Sequence, residues 1–359
     1  MLFAARTYRF PSIGRYFEVF PLQLSPLTKK QRLVKQTYFA SVSTGWRIAL
    51  HRYIPPRGPL PGQVPVLLCH GLGANRFNMD APGRKSLAKY LCRLGFDCWV
   101  IELRGAGMST RRGFRQRFQY DWRFEDHVLE DVPAALRLIR DQTGHEQVHW
   151  VGHSMGGMVA YAYAMLVGSH RLRSLVAIAS PTFSHAAHPL IDLVTPIGRK
   201  LRHFPKVPYG GPSFLLAPVM PLFKETLGRI LGNPRNLDTV EMMRLISLAP
   251  TDLPGTLLAQ FSEWYEGRRF ESSEVNMKYY DELERIDIPT YLLAGYVDRL
   301  SPPNDVSDVF KRIGAEDKKL QLFGKLTGCR YDYGHIDLVL GKWADEEVFP
   351  HIHNWLTSH

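Results

Sequence analysis

The stretch Gln147–Ala164, QVHWVGHSMGGMVAYAYA, constrains this chain more than any other, because an apolar run, a Gly-Xaa-Ser-Xaa-Gly turn and a second apolar run follow one another without a spacer. Val148 to Val151 has the length and content of a buried strand, and Met158 to Val167 those of an almost wholly apolar helix. A strand that becomes a helix within so few residues brings backbone against backbone. Gly152 and Gly156, two residues either side of Ser154, stand where a Cβ would clash. The serine then occupies a strained turn, its hydroxyl clear of the sheet edge and over the N-terminus of the following helix. A GxSxG alone says little, since Gly and Ser are common. The strand before it and the helix after it make Ser154 a candidate nucleophile rather than part of an idle turn.

The same alternation runs along much of the chain. Phe39–Tyr53 alternates around Ser43, Thr44 and Gly45, which predicts an antiparallel hairpin at a sheet edge. Val64–Cys69 is a continuous apolar run, the mark of a central parallel strand, and ends in His70-Gly71-Leu72-Gly73. Lys85–Leu94 reads as helix and Asp97–Leu103 as strand; Phe124–Thr143 reads as a long amphipathic helix stopped by Gly144, and Ser174–Ser180 as a further strand. Strands and helices in this rhythm predict an α/β protein with a mostly parallel, doubly wound sheet, whose ligands sit beyond the carboxyl ends of the strands. After Ser180 the rhythm stops for roughly a hundred residues, too many for a plain loop in a compact domain. That segment is rich in Pro, Gly and large apolar residues, with helical stretches at Leu222–Leu231, Thr239–Leu248 and Thr256–Tyr265. The strand pattern resumes at Pro289–Ala294 and Lys319–Phe323, and a closing helix is expected over about Asp345–Trp355. The expected organisation is a basic arm over 1–38, a core made of 39–180 and 286–359, and a mainly helical cap inserted over 181–285.

With 359 residues, 45% of them hydrophobic, the chain can bury a sizeable core, which excludes global disorder. The net charge of +11 is unevenly spread. Met1–Leu60 holds ten basic residues against the single acid Glu18, leaving 35 basic and 33 acidic of the chain's 45 and 34. Interleaved with Phe3, Tyr8, Phe10, Tyr16, Phe17 and Phe20, the arm suits either a solvated segment packed on the domain or peripheral contact with an anionic membrane. Arg111, Arg112, Arg115, Arg117 and Arg123 stand close to Phe114, Phe118, Tyr120 and Trp122, but no nucleic-acid motif accompanies them, so no nucleic-acid partner is expected. Cys69, Cys92, Cys98 and Cys329 have neither CxxC nor metal-type spacing and read as buried free thiols, with no metal and no cofactor implied. The N-terminus lacks the apolar core of a signal peptide, and no run has membrane-spanning length, so a cytoplasmic or peripheral-membrane setting is expected.

Taken together, HGL at His70–Leu72, SLAKYLCRLGFDCWVIELRG before Ala106, GHSMGG around Ser154, LLAQFSEWYEGRRF, NMKYYDELERIDIPTYLLAGYVDRLSPPNDV and YGHIDLVLG make the chain resemble an α/β-hydrolase, and within that fold the acid lipase family. The resemblance covers most of the chain after about Phe39 and rests on the shared order of these pieces. Met155 departs from it, since acid lipases usually carry glutamine there. The resemblance implies the α/β-hydrolase fold and a lipase- or esterase-type activity.

A serine hydroxyl needs a base within hydrogen-bond reach, and the base needs a carboxylate to fix its tautomer and stabilise its cation. The chain order in this fold is Ser, acid, His. Asp298 follows the strand Pro289–Ala294 by a short turn, and His335 sits in a Gly-led loop after the last strand, so Ser154, Asp298 and His335 are the candidate catalytic residues. Asp305, Asp332 and Asp337 are rival acids displaced from the strand end. His153 should point into the fold, His70 should make a structural hydrogen bond, and His351 and His353 read as satisfied on the closing helix. The backbone amides of Leu72 and Met155 are the candidate oxyanion donors. Phe214, Leu215, Leu216, Phe223, Phe261, Trp264 and Tyr265 are candidates to line an acyl or aryl pocket, or else to pack the cap on the core. The expected function is hydrolysis of carboxylic esters with a hydrophobic part. Acyltransferase, thioesterase and polyester depolymerase are alternatives on the same triad, and a non-catalytic binding protein of the same fold is a further one.

Overall fold

In a computed structural model of the chain, every residue of the strand Val66–Cys69 is buried, and the alternation of its side chains decides how the layers form. Val66 and Leu68 face a core shared with the helix Leu87–Arg93 and the C-terminal helix, while Leu67 and Cys69 face the one under the helices that precede and follow Ser154. The structure describes residues 7–8, 17–18, 33–82, 86–111, 113, 118–185, 189–272 and 274–359. It divides into Met1–Arg32 and Leu33–His359. In the first unit Thr7–Tyr8 and Phe17–Glu18 pair antiparallel; the rest of the expected arm up to Arg32 lies outside the described residues, as do Arg112, Phe114, Arg115 and Arg117.

In the second unit the strands are β1 (Val34–Ser41), β2 (Trp46–Ile54), β3 (Val66–Cys69), β4 (Cys98–Glu102), β5 (Thr110–Arg111), β6 (Val148–His153), β7 (Leu172–Ile178), β8 (Thr290–Gly295) and β9 (Lys318–Phe323). They form one nine-stranded sheet in the order β9-β8-β7-β6-β3-β4-β2-β1, with β5 beside β2. From β9 to β4 all neighbours are parallel, and β2, β1 and β5 pair antiparallel. The predicted hairpin is present but begins at Val34, so the sheet takes in residues assigned to the arm. From β3 the chain moves outward to β4 and then returns to lay β6 on the other side of β3. Ligands of doubly wound sheets bind at such a reversal, beyond the carboxyl ends of the two strands. Here those ends are His70 and His153, the residue before Ser154.

The helices of the sheet layers are α1 (Leu87–Arg93), α2 (Val132–Thr143) and α3 (Met155–Leu166). The long helix expected over Phe124–Thr143 is not uniform, because a π-helical turn at His127–Asp131 precedes α2, which ends with Gly144 at φ 76°. The described residues of 181–285 add no strand to the sheet and carry α4 (Pro189–Lys200), α5 (Gly210–Leu216), α6 (Met220–Leu231), α7 (Thr239–Leu248) and α8 (Gly255–Gly267). The last three match expected stretches; α4 and α5 were not anticipated. The chain then supplies α9 (Pro303–Arg312), the short α10 (Asp337–Leu340), α11 (Ala344–Glu347) and α12 (Phe349–Ser358). The expected single closing helix is therefore two, split at Val348, with Pro350 in the first turn of the second. Among the described residues no helix is long and apolar enough to cross a membrane.

Candidate active site

The strand-to-helix turn is as tight as its glycines require. A Cβ on Gly152 would fall 2.4 Å from Gly156 carbonyl atoms, and one on Gly156 would fall 2.4 Å from the Cys69 oxygen. Ser154 carries the strain, at φ 54° and ψ −122°, a region that non-glycine residues enter only when the surroundings impose it. Its amide donates to the Ile178 oxygen at 2.8 Å, fastening the turn to β7. Gly156→Ala should cost about 3 kcal/mol or more and lower Tm by roughly 5 °C or more, because the obstructing atom is backbone. Thermal denaturation checks this, and an unchanged Tm would refute the close-approach argument.

Asp298 and His335 are brought together by the turns after β8 and β9. His335 Nδ1 lies 2.9 Å from Asp298 Oδ2 and both side chains are buried. Asp298 Oδ1 is occupied by the amides of Leu300 and Ser301, at 2.8 and 2.9 Å, which fixes the carboxylate plane and leaves Oδ2 for the imidazole. With Nδ1–H donated there, Nε2 keeps its lone pair. Ser154 and His335 both line a cavity of about 680 Å³.

The turn after β3 closes the other side. A Cβ on Gly71 would lie 3.1 Å from the Ser154 Cβ, so this loop rests against the serine, and Leu72 lines the cavity beside it. Met155 opens α3, and the first amides of a helix have no partner within it. Among the described residues no protein acceptor takes the amides of Leu72 or Met155.

Asn78 was not anticipated. Its Oδ1 accepts the Gly71 amide at 3.0 Å and sits 3.1 Å from His153 Nδ1, while His153 Nε2 donates to the His335 oxygen at 3.1 Å. Asn78 thus holds the loop of Leu72, and His153 joins the turn of Ser154 to the loop of His335. Burial, with His335 nearby, pushes His153 down to about 3, so it stays neutral and serves as a strut. His70 makes the expected structural bonds, donating from Nδ1 to the Gly71 oxygen at 2.8 Å and accepting the Leu103 amide on Nε2 at 3.1 Å. Burial lowers it to about 4. His351 and His353 lie on α12 and do not line the cavity.

Each rival acid is committed elsewhere. Asp305 receives the amides of Thr182, Phe183 and Ser184 and the hydroxyls of Thr182 and Ser184, tying the segment after β7 to α9. Asp332 accepts the Lys325 amide. Asp337 is buried, and burial pushes it up to about 7. Among the described residues no group of three His, Cys, Asp or Glu is arranged to hold a metal ion.

The pocket candidates divide. Phe261 and Tyr265 line the cavity, together with Leu258 one turn earlier on α8. Trp264 does not: it is 3% exposed, with rings of Phe124, Phe183, Phe261 and Phe270 around it, and its indole N–H donates to the Glu271 oxygen. Phe214 is 61% exposed and also off the cavity wall, as is Leu215. The side chains of Leu216 and Phe223 lie outside the described residues. Tyr209, Met242, Leu245 and Ile246 from the helical excursion complete the apolar wall and carried no sequence signal that separated them from ordinary core residues.

A family model described as alpha/beta hydrolase fold matches residues 64–339. The chain belongs to that family. It is similar to lipase member K of Homo sapiens, 24% identical over 88% of this chain and 85% of the relative, and to triacylglycerol lipase 2 of Arabidopsis thaliana, 25% identical over 80% and 75%. An esterase from Exiguobacterium antarcticum shares the fold with a TM-score of 0.60 at 14% identity, covering 90% of this chain and all of that one.

Proposed function

We propose that the chain hydrolyses carboxylic esters with a hydrophobic acyl or aryl part through an acyl-enzyme on Ser154. The observation that carries the reading is that Ser154 and His335, the latter paired with the buried Asp298, open on one apolar cavity. Several residues of its wall come from residues 181–285, which act in this reading as a cap.

His335 Nε2 takes the Ser154 proton as Oγ attacks the ester carbonyl, and the amides of Leu72 and Met155 hold the oxyanion. Collapse expels the alcohol, which receives the proton from His335. Water then attacks the acyl-enzyme with the same base, releasing the carboxylic acid and restoring Ser154. Asp298 keeps the imidazole in the required tautomer and stabilises its cation. Transfer to an alcohol or thioester cleavage would use the same first half and differ in the group that enters or leaves. The relatives named as lipases and the esterase of like fold support the ester reading.

A series of p-nitrophenyl esters tests it. Each methylene buried in the cavity contributes about 0.8 kcal/mol, so kcat/KM should rise about fourfold per carbon until the cavity is filled. Turnover of acyl thioesters with none of p-nitrophenyl esters would move the reading to thioesterase, and no turnover of either would remove it.

A further inference from the structure

The loop that carries His335 is fastened by a carboxyl group for which the proposed chemistry has no use. Asp337 Oδ1 accepts the Gly334 amide at 2.8 Å, and Oδ2 accepts Nδ2 of Asn236 at 3.0 Å. Asn236 lies in the turn after α6, and that turn meets the same region at three further points. The Ile336 amide donates to the Leu231 oxygen at 2.8 Å, Asn233 Nδ2 to the Asp332 oxygen at 2.7 Å, and the Lys342 amide to the Asn236 oxygen at 2.8 Å. The surfaces touch so closely that a Cβ on Gly232 would come 2.6 Å from Asp337 Oδ1, and one on Gly334 would come 2.5 Å from the Gly232 Cα.

We infer that Asp337 is a positioning residue for His335, whose carboxyl clamps the histidine loop to the turn after α6 and does so best when it carries a proton. The inference rests on the reading of His335 as the base.

Asn236 Oδ1 is buried and, among the described residues, without a hydrogen-bond partner. An ionised Asp337 can only accept, so it draws the amide round to present Nδ2 and strands that oxygen. A protonated Asp337 can donate to Oδ1 of the turned amide while its other oxygen keeps the Gly334 amide. As the amide stands, Asn236 also interacts with the Tyr333 hydroxyl, which itself donates to Glu347 Oε2 at 2.7 Å. Within the clamp, the Asn236 oxygen finds a donor only when Asp337 carries a proton.

The surroundings favour the proton. Burial first, and the Asp298 carboxylate from the turn after β8, push Asp337 up to about 7 against the pull of the Asn236 and Gly334 donors. Tyr331, Asp332, Tyr333 and His335 are the titratable groups just before it in its own loop, and the Tyr333 hydroxyl is held by Glu347 of α11. The turn after α6 presents the uncharged Asn236, while the Lys342 ammonium is turned to the Arg235 oxygen at 2.9 Å. The folded value stands above that of a free carboxyl, near 4, so the stability this group adds is full below about pH 4 and is lost as pH rises through about 7. Ionisation also sets a second carboxylate near the Asp298–His335 pair.

Asp337→Asn keeps the shape, places an amide donor where the acid proton would be and cannot ionise. From pH 5.5 to 8.5 on a soluble p-nitrophenyl ester, the ratio of its kcat to that of the wild type should rise about threefold or more, with KM little changed. A ratio constant with pH would overturn the inference. Asn236→Ala breaks the clamp from the other side and should lower kcat more at pH 5.5, where the wild-type clamp is intact, than at pH 8.5. Equal loss at both would also overturn it. Ser154→Ala and His335→Ala, run alongside, separate the two levels. If both are inactive and the Asp337→Asn ratio is flat, the clamp alone fails; if either keeps turnover, the reading of the site fails and takes the clamp with it.

Discussion

Ser154→Ala is expected to lower ester turnover by roughly four to six orders of magnitude and to abolish labelling by a fluorophosphonate probe. The size follows from what is removed. Without Oγ there is no acyl-enzyme, and what persists is the contribution of substrate binding and the two amides acting on direct attack by water. The variant should otherwise be the same protein, because alanine keeps a Cβ in the turn at φ 54° and the Ser154 amide keeps its bond to Ile178. A Tm within about 2 °C of the wild type would separate lost chemistry from lost fold. Labelling undiminished in Ser154→Ala would place the reactive nucleophile elsewhere and defeat the proposed function.

The part of this site legible in the sequence is the part set by local geometry. Gly152, Ser154 and Gly156 have to be what they are because a strand and a helix meet there, and the contact of Gly156 with Cys69 also fixes which loop lies beside the serine. Asp298 was legible because it follows a recognisable strand by a short turn, and His335 because it sits in a Gly-led loop after the last strand. The helical excursion resisted for physical reasons. Pro196 lies inside α4, where local rules argue against a helix, and α5 opens on Gly210-Gly211. Tertiary packing overrides these preferences: a Cβ on Gly198 would run into Ser262 of α8, and one on Gly255 of α8 into the backbone of Leu201. Phe261 and Trp264 are three residues apart on one helix, and nothing in their identity says which meets the cavity and which the core. Asp337 and Asn236 are 101 residues apart, and no local signal joins them.

His335→Ala should fall nearly as far as Ser154→Ala, and Asp298→Asn by about four orders of magnitude. The second is the more informative, because it changes little except the sign of one hydrogen bond. Leu300 and Ser301 amides hold Oδ1 of residue 298, so an asparagine there keeps its oxygen in that position and turns its amide nitrogen towards His335 Nδ1. Two donors cannot face each other, and the imidazole is driven to the tautomer that carries its proton on Nε2, the nitrogen that should receive the serine proton. The three side chains act as one unit, and the double variant Ser154→Ala/His335→Ala should be no slower than Ser154→Ala alone. Multiplying losses in the double variant, or more than about a tenth of wild-type activity in His335→Ala, would mean that another group takes the serine proton.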